Sequence, residues 1–341
     1  MRFHPIIFTF PNENLTSCTD IISVCLASSS KKNSCFRFSK TFFTFNKIKI
    51  RMEMESLTDK AQITLKKIEG LKNLISIPKI IFEVSQAIKA EPGNVKKLAR
   101  MIEKDQGLTT KVLAVANSPL YGLQKKVSSL EFALMLMGTE ETLRIVTAIS
   151  LSESLKIKST KDFDYMEYWK HSMLVGMAAR DMSIRLGFSD LFGEAFLAGM
   201  LHDVSIQVFA QYLPKEFSEI ISSSKNNKKF FDCEKEILGV THDYIGKIIV
   251  QKWKLPEVIS ETIEFHHIPS QAPNSKQLSA LVHLSDSMTQ EFKIGNTFWD
   301  KTLSFDGDVV EILNFKSAEE MAAFVSEYQE IFQDTAESIV F

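Results

Sequence analysis

The most informative segment of the 341-residue chain covers residues 194–209 and reads EAFLAGMLHDVSIQVF. Its apolar residues recur every three or four positions, which is the period of a helix with a buried face. His202 shares that face with Ala198 and Leu201, so its imidazole is directed into a helical core. A buried imidazole costs free energy unless it is paired. The segment therefore predicts a buried helix that carries a polar site, and we expect that helix to run over about 190–212.

The helical period continues through nearly the whole chain from residue 55 onward, with few of the alternating runs that indicate strands. The pattern predicts an all-α fold, a two-lobed helical bundle. Long helices are expected at about 165–186, 190–212, 242–254, 256–267, 276–292 and 317–340. The expected organisation is a tail over 1–54, an N-terminal helical lobe over 55–160, a second helical lobe over 161–295 and a C-terminal helical extension over 296–341.

The first 51 residues differ from the rest in composition. They contain eight basic residues, two acidic residues and eight of the 26 Phe, without a sustained helical or strand period. We expect the tail to be unstructured, or to precede a true start at Met52 or Met54. The alternative is a secretory signal with residues 21–27 as its apolar core, but acidic residues precede that run.

Composition excludes several classes of protein. The remainder of the chain is acidic, with 32 basic and 40 acidic residues, so no nucleic-acid partner is expected. No apolar run approaches the ~18 residues of a membrane span, so no membrane association is expected. Three of the four Cys fall in the first 35 residues and no C-x-x-C pair occurs, which favours a reducing, cytoplasmic location. The phosphate-binding and nucleophile-elbow glycine motifs are absent from the sequence.

Histidines are concentrated in one part of the chain, because six of the seven lie between residues 171 and 283. A single core histidine usually bonds a backbone carbonyl, but several helices that each direct one polar group inward suggest a shared metal ion. The side chains that lie on apolar helix faces are His171, His202, His242, His266 and Asp286. We expect His171, His202, Asp203 and Asp286 to converge within a few ångströms.

Four segments together resemble the HD superfamily of helical metal-dependent phosphohydrolases. They read WKHSMLVGMAAR (169–180), EAFLAGMLHDVSIQVF (194–209), THDYIGKIIVQKWKLPEVISETIEFHH (241–267) and LSALVHLSDSM (278–288). The resemblance places His171, the His202-Asp203 pair and Asp286 in the superfamily's ligand positions, and it makes residues 161–295 an HD-like lobe. The positions of second-metal ligands fall on His242, His266 and His267. Adjacent residues on a helix project about 100° apart, so we expect at most one of His266 and His267 to face His242.

Upstream segments sharpen the resemblance to one family. IPKIIFEVSQAI (77–88), the segment 95–122 that ends in ANSPLYG, and VSSLEFALMLMG (127–138) are similar to the HDOD family, the HD-related output domains of bacterial signalling proteins. The similarity covers about residues 71–292, and ANSPLYG is its most specific part. It implies a two-lobed helical module that acts in signal transduction.

The chemistry implied by the resemblance is incomplete. Active two-metal phosphodiesterases usually follow the His-Asp pair with Ile-Gly-Lys, whereas Val204-Ser205 follow here, so a cation for a substrate phosphate is missing. Lys247 lies in a later helix and is not its equivalent. The favoured hypothesis is a non-enzymatic signalling module without catalytic residues, whose pocket holds a divalent Fe, Mn, Zn or Ni ion or none, and which contacts a signalling protein or a small ligand. The alternatives are a metal-dependent phosphohydrolase and a purely structural scaffold.

Overall fold

The computed structural model describes residues 58–71, 76–122, 126–225, 228–294, 299 and 305–339. The chain divides into the units Met1–Leu57 and Thr58–Phe341, and the second is the compact unit described here. The predicted tail, residues 1–54, lies outside the described residues. Regular structure in the described residues is helical throughout and includes no strand, so the all-α prediction is confirmed. The boundaries predicted at residues 160 and 295 stay predictions.

The helices of the described residues are named α1 to α17 in chain order. They span Asp59–Glu69, Lys79–Ala90, Val95–Ile102, Gln106–Asn117, Leu130–Met137, Thr139–Ser154, Tyr165–Arg185, Phe192–Leu201, Val204–Tyr212, Pro214–Ser224, Phe230–Leu238, His242–Lys252, Glu257–Phe265, Lys276–Glu291, Val309–Ile312, Ala318–Ser326 and Tyr328–Ser338. Among these, none combines the length and the apolar content that crossing a bilayer requires.

The prediction of one continuous helix over about 190–212 is wrong, because the chain breaks at His202 and Asp203. Helix α8 ends at Leu201 and α9 begins at Val204, with Asp203 between them at φ −102° and ψ 19°. Consecutive residues on a straight helix point about 100° apart. The break removes that constraint and lets both side chains face one pocket.

Helices α7 and α8 cross with their backbones in contact. A Cβ atom on Gly199 would lie 2.8 Å from the Cα atom of Gly176, and a Cβ atom on Gly176 would lie 2.9 Å from the carbonyl oxygen of Phe196. Only glycine allows such an approach. The close crossing brings His171 of α7 next to His202, which follows α8.

The C-terminal segment docks on the body as predicted, but as two helices instead of one over 317–340. Helix α16 ends at Ser326 and α17 begins at Tyr328. Between them Glu327 pairs with the Arg185 guanidinium at the end of α7. The Tyr328 hydroxyl donates to Asp181 Oδ2 at 2.6 Å, and the rings of Tyr328 and Phe332 are buried. These contacts hold the C-terminal helices against α7.

Candidate metal centre

Three parts of the fold bring four polar side chains to one buried point. His171 comes from α7, His202 and Asp203 from the break before α9, and Asp286 from α14. His171 Nε2 lies 3.2 Å from His202 Nε2 and 3.4 Å from Asp286 Oδ1. His202 Nε2 lies 3.2 Å from Asp203 Oδ2. All four side chains are buried. They are called the first cluster below.

A second group of histidines lies on the other side of Asp203. His242 begins α12, and His266 and His267 follow the last residue of α13. Asp203 Oδ1 lies 3.7 Å from His242 Nε2 and 3.7 Å from His266 Nε2, while Nε2 of His242 and Nε2 of His267 are 2.7 Å apart. These three histidines form the second cluster, and the Asp203 carboxylate faces both clusters.

The prediction that at most one of His266 and His267 would face His242 is wrong. Helix α13 ends at Phe265, so the regular 100° rotation between neighbouring side chains does not extend to this pair. The two ring centroids lie 3.7 Å apart with the ring planes tilted by 46°, and both rings are buried. One ligand nitrogen from each of His242, His266 and His267 lies within 4.8 Å of the others.

The hydrogen bonds at Nδ1 determine which nitrogen of each ring faces the pocket. His202 Nδ1 donates to the Gly199 carbonyl at 2.7 Å, and His266 Nδ1 donates to the Ile263 carbonyl at 2.6 Å. Because a carbonyl can only accept, the neutral rings keep the proton on Nδ1 and direct the Nε2 lone pair inward.

His171 follows the same arrangement through a hydroxyl group. Its Nδ1 lies 3.2 Å from Thr289 Oγ1, whose own proton goes to the Asp286 carbonyl at 2.8 Å. The threonine oxygen is therefore left as an acceptor for the His171 Nδ1 proton. In this tautomer Nδ1 carries the ring proton, and Nε2 of His171 faces Asp286 and His202.

Glu234 orients His242 in the second cluster. Its carboxylate accepts from His242 Nδ1 at 2.9 Å and from the His242 backbone N–H at 3.1 Å. Burial raises the pKa of Glu234, although the neighbouring imidazole opposes the rise. A carboxylate bound to the outer nitrogen of a histidine is the usual support of a metal-ligating imidazole.

The pKa values of the buried histidines and of Asp203 show that the carboxylates favour positive charge on the neighbouring imidazoles. Burial lowers the pKa of His202, but the Asp203 charge and hydrogen bond outweigh it and raise the pKa to about 9. Burial is likewise outweighed at His242, where Glu234 raises the pKa to about 10. Burial opposes ionisation of Asp203, yet the imidazoles around it, His202 foremost, hold its pKa well below the ordinary value. The carboxylates of Asp203 and Glu234 thus favour protonation of His202 and His242. A metal ion would compete with these protons for the same imidazole nitrogens.

The donor atoms of both clusters fit a metal ion. Among the described residues, Asp203 Oδ1, Asp286 Oδ1 and His266 Nε2 are buried without a hydrogen-bond partner. Buried polar atoms normally have partners, and imidazole nitrogens with carboxylate oxygens are the ligands of zinc and of other divalent transition metals. The clusters could therefore hold metal.

Three residues at the site were not predicted from the sequence. Glu234 could have been found, because it lies between Phe230 and Leu238 on the buried stripe of α11 and a carboxylate at such a position needs a partner. Thr289 lies one turn after Asp286, where a buried hydroxyl gives no specific signal. Trp299 lies beyond α14, and its indole Nε1 donates to Asp203 Oδ2 at 2.5 Å. Nothing in the local sequence pattern indicates that contact.

The sequence profile of the HDOD domain matches residues 74–269. The chain belongs to the HDOD family. An HDOD domain protein from Geobacter sulfurreducens is 22% identical, with a TM-score of 0.66 over 83% of this chain and 99% of that chain. A protein from Shewanella amazonensis that is described as a phosphohydrolase is 21% identical, with a TM-score of 0.62 over 81% of this chain and 98% of that one.

Two further likenesses support the same fold. A signal transduction protein from Marinobacter aquaeolei is 19% identical, with a TM-score of 0.59 over 84% of this chain and 68% of that chain. An uncharacterised protein from Treponema pallidum is 22% identical over 260 residues, which are 76% of this chain and 50% of that protein. The chain thus spans about half the length of this curated relative. Proteins of this fold therefore carry names from both the signalling and the hydrolase classes.

Proposed function

We propose that this HDOD protein is an output module of bacterial signal transduction that holds a divalent transition metal in its core and does not turn over phosphoesters. The ligands of one ion would be His171, His202, Asp203 and Asp286. A second ion would be held by Asp203 together with the three histidines of the second cluster. When bound, such an ion acts as a Lewis acid and lowers the pKa of a bound water.

The environment of Val204-Ser205 is the observation that carries this proposal. Phosphoryl transfer depends on preorganised positive charge around the phosphate, and loss of one such donor costs about 10²- to 10³-fold in rate. Val204 is apolar, and the Ser205 hydroxyl donates to the His242 carbonyl at 2.6 Å. Lys247 Nζ is paired with Glu264 at 2.9 Å. Neither Ser205 nor Lys247 is therefore placed to stabilise a substrate phosphate.

The proposal is tested by metal content and turnover measured on the same samples. Protein purified without added ions is analysed by elemental mass spectrometry and then loaded with Mn²⁺, Fe²⁺ or Zn²⁺. We expect bound metal and only background hydrolysis of bis-nitrophenyl phosphate, nucleoside phosphates and cyclic dinucleotides. The His202→Ala and Asp203→Ala variants should lose the metal without changing that background. Metal-free wild-type protein after loading would contradict the metal centre.

A metal-dependent phosphohydrolase is the second candidate, and the position of Asp203 favours it. One carboxylate that faces ligands on both sides suits a pair of ions, as in two-metal hydrolases. Turnover in the metal-loaded wild-type protein that disappears in both variants would support this candidate over the first.

The partner and the location remain part of the proposal. We expect a signalling protein or a small ligand as partner, a cytoplasmic location and no nucleic-acid binding, because the body carries more acidic than basic residues. A filter-binding assay with single- and double-stranded nucleic acid at low salt should give no retention.

A further inference from the structure

Trp299 lies directly against the first cluster. Its side chain is only 2% exposed, and its Nε1 donates to Asp203 Oδ2 at 2.5 Å. The ring meets His171 edge to face with centroids 6.2 Å apart, and it lies 6.2 Å from the ring of Tyr168. The residue follows α14 and falls outside the segment that the HDOD profile matches.

The contact is specific for one oxygen of the carboxylate. Oδ2 is the oxygen that faces the first cluster, 3.2 Å from His202 Nε2 and 3.6 Å from His171 Nε2, whereas Oδ1 faces the second cluster. A carboxylate oxygen can accept one hydrogen bond and still bind a metal ion. The indole hydrogen bond would therefore still allow Oδ2 to hold a metal ion, and the ring occupies the space beside that oxygen.

We propose that Trp299 excludes oxyanions from the first cluster, so that the cluster takes a metal ion but no phosphate group. This inference rests on the proposed metal centre. Any phosphate that reaches an ion held by His171, His202 and Asp203 must bring several oxygens and their hydration into the pocket. The cluster side chains are buried and a large ring packs on them, so close packing opposes the entry of such a group.

The indole has two separable effects, bulk and hydrogen bonding. Trp299→Phe keeps an aromatic ring but removes the N–H donor, whereas Trp299→Ala removes both. If the bulk of the ring excludes oxyanions, phosphate should reach the first cluster in the Ala variant but not in the Phe variant. Trp253→Ala is the matched control, because it removes another buried indole that follows α12. Trp299→Leu, which removes less volume, replaces the Ala variant if circular dichroism shows the latter to be unfolded.

The probe is inorganic phosphate with the Mn²⁺-loaded protein. Paramagnetic Mn²⁺ broadens the ³¹P signal of phosphate that reaches the ion, and metal content is measured first on each sample. We expect broadening in Trp299→Ala to exceed that of wild type, Trp299→Phe and Trp253→Ala by about tenfold, the effect of ~1.4 kcal/mol in binding free energy.

Each outcome separates the two proposals. Equal broadening in wild type and Trp299→Ala, with Mn²⁺ retained in both, would overturn the role of Trp299 and leave the metal centre intact. That role would also be overturned if Trp253→Ala broadened the signal as much as Trp299→Ala. Failure of wild-type protein to retain Mn²⁺ would instead overturn the metal centre, and the inference with it.

Discussion

Glu234 supports the second cluster through its hydrogen bonds to His242. Replacing it by Gln removes the negative charge that holds the His242 Nδ1 proton, while the size of the side chain stays the same. We expect Glu234→Gln to weaken metal binding at the second cluster by about 10- to 100-fold, as is usual for such supporting carboxylates. Competition with a chelator of known affinity measures the change.

A matched control is available on the same helix. Glu236 of α11 is exposed and pairs with Lys228, so Glu236→Gln should leave metal affinity unchanged. An equal loss in both variants would show that α11 acts through general charge and not through the bond to His242.

Single residues also show how far sequence reasoning reaches. His171, His202 and Asp286 could be selected because polar groups on apolar helix faces are costly and therefore informative. The orientation of His266 and His267 could not, because it depends on where α13 ends. Trp299 could not either, since its contact with Asp203 joins positions that lie far apart in the chain and is fixed by packing.

The close crossing of helices α7 and α8 sets the geometry of the first cluster. In Gly199→Ala, the added Cβ atom would lie 2.8 Å from Gly176 Cα, so the helices must separate. Overpacking of this kind costs about 1–3 kcal/mol. We expect a lower melting temperature together with loss of metal from the first cluster, measured by calorimetry and elemental analysis.

Gly107→Ala on α4 is the control for this prediction. Its Cβ atom would approach only the Asp105 side chain, at 3.4 Å, and alanine favours the helix. Its melting temperature and metal content should not fall. Full metal content in Gly199→Ala would contradict the idea that the close crossing positions His171 and His202.

The start of α14, the helix that carries Asp286, is held by Glu261 of α13. Glu261 accepts from the backbone N–H groups of Asn274 and Ser275, each at 2.6 Å. Burial would raise the pKa of Glu261, but hydrogen bonds from the Asn274 side chain and backbone and from the Ser275 side chain and backbone lower it below the ordinary 4.5. A lowered folded pKa gives stability that is present above the ordinary pKa and is lost as pH falls through the folded value.

Glu261→Gln should therefore be less stable than wild type at pH 7, by about 1 kcal/mol as for the loss of a helix cap. The difference should shrink as pH is lowered below about 4. Urea unfolding at pH 7 and at low pH measures both values. A deficit that stays constant with pH would show that geometry, and not charge, is responsible.

Helix positions were more predictable than helix ends. The hydrophobic period was sufficient to predict the positions of α7, α12, α13 and α14, because each of these helices buries one apolar face. The break at His202 and Asp203 could not be predicted, since the residues on both sides favour a helix and the interruption serves the pocket. The division between α16 and α17 likewise falls at Glu327, whose partner Arg185 belongs to another helix.

Two deletions compare how much the C-terminal and N-terminal segments contribute to the stability of the protein. Removing residues 316–341 takes away α16 and α17, and with them the contacts of Tyr328 with Asp181 and Arg185 of α7 and of Phe332 with the Phe292 ring. We expect the melting temperature to fall by several degrees, because buried aromatic side chains are lost. Differential scanning calorimetry measures the shift.

Removing residues 1–57 is the comparison, since the compact unit begins at Thr58. The composition of the first 51 residues predicts that their deletion leaves the melting temperature unchanged. A fall as large as that of the C-terminal deletion would contradict the prediction and indicate that this segment packs on the compact unit.

His202 and His266, which directly follow α8 and α13, link metal release to local motion. Each bonds a carbonyl three residues earlier in its own helix, at the end where backbone carbonyls lack helical partners. Unwinding one terminal turn would therefore withdraw a ligand while the rest of the molecule stays folded. The ion should leave through helix fraying, so its dissociation rate into a chelator should depend little on urea well below the unfolding midpoint.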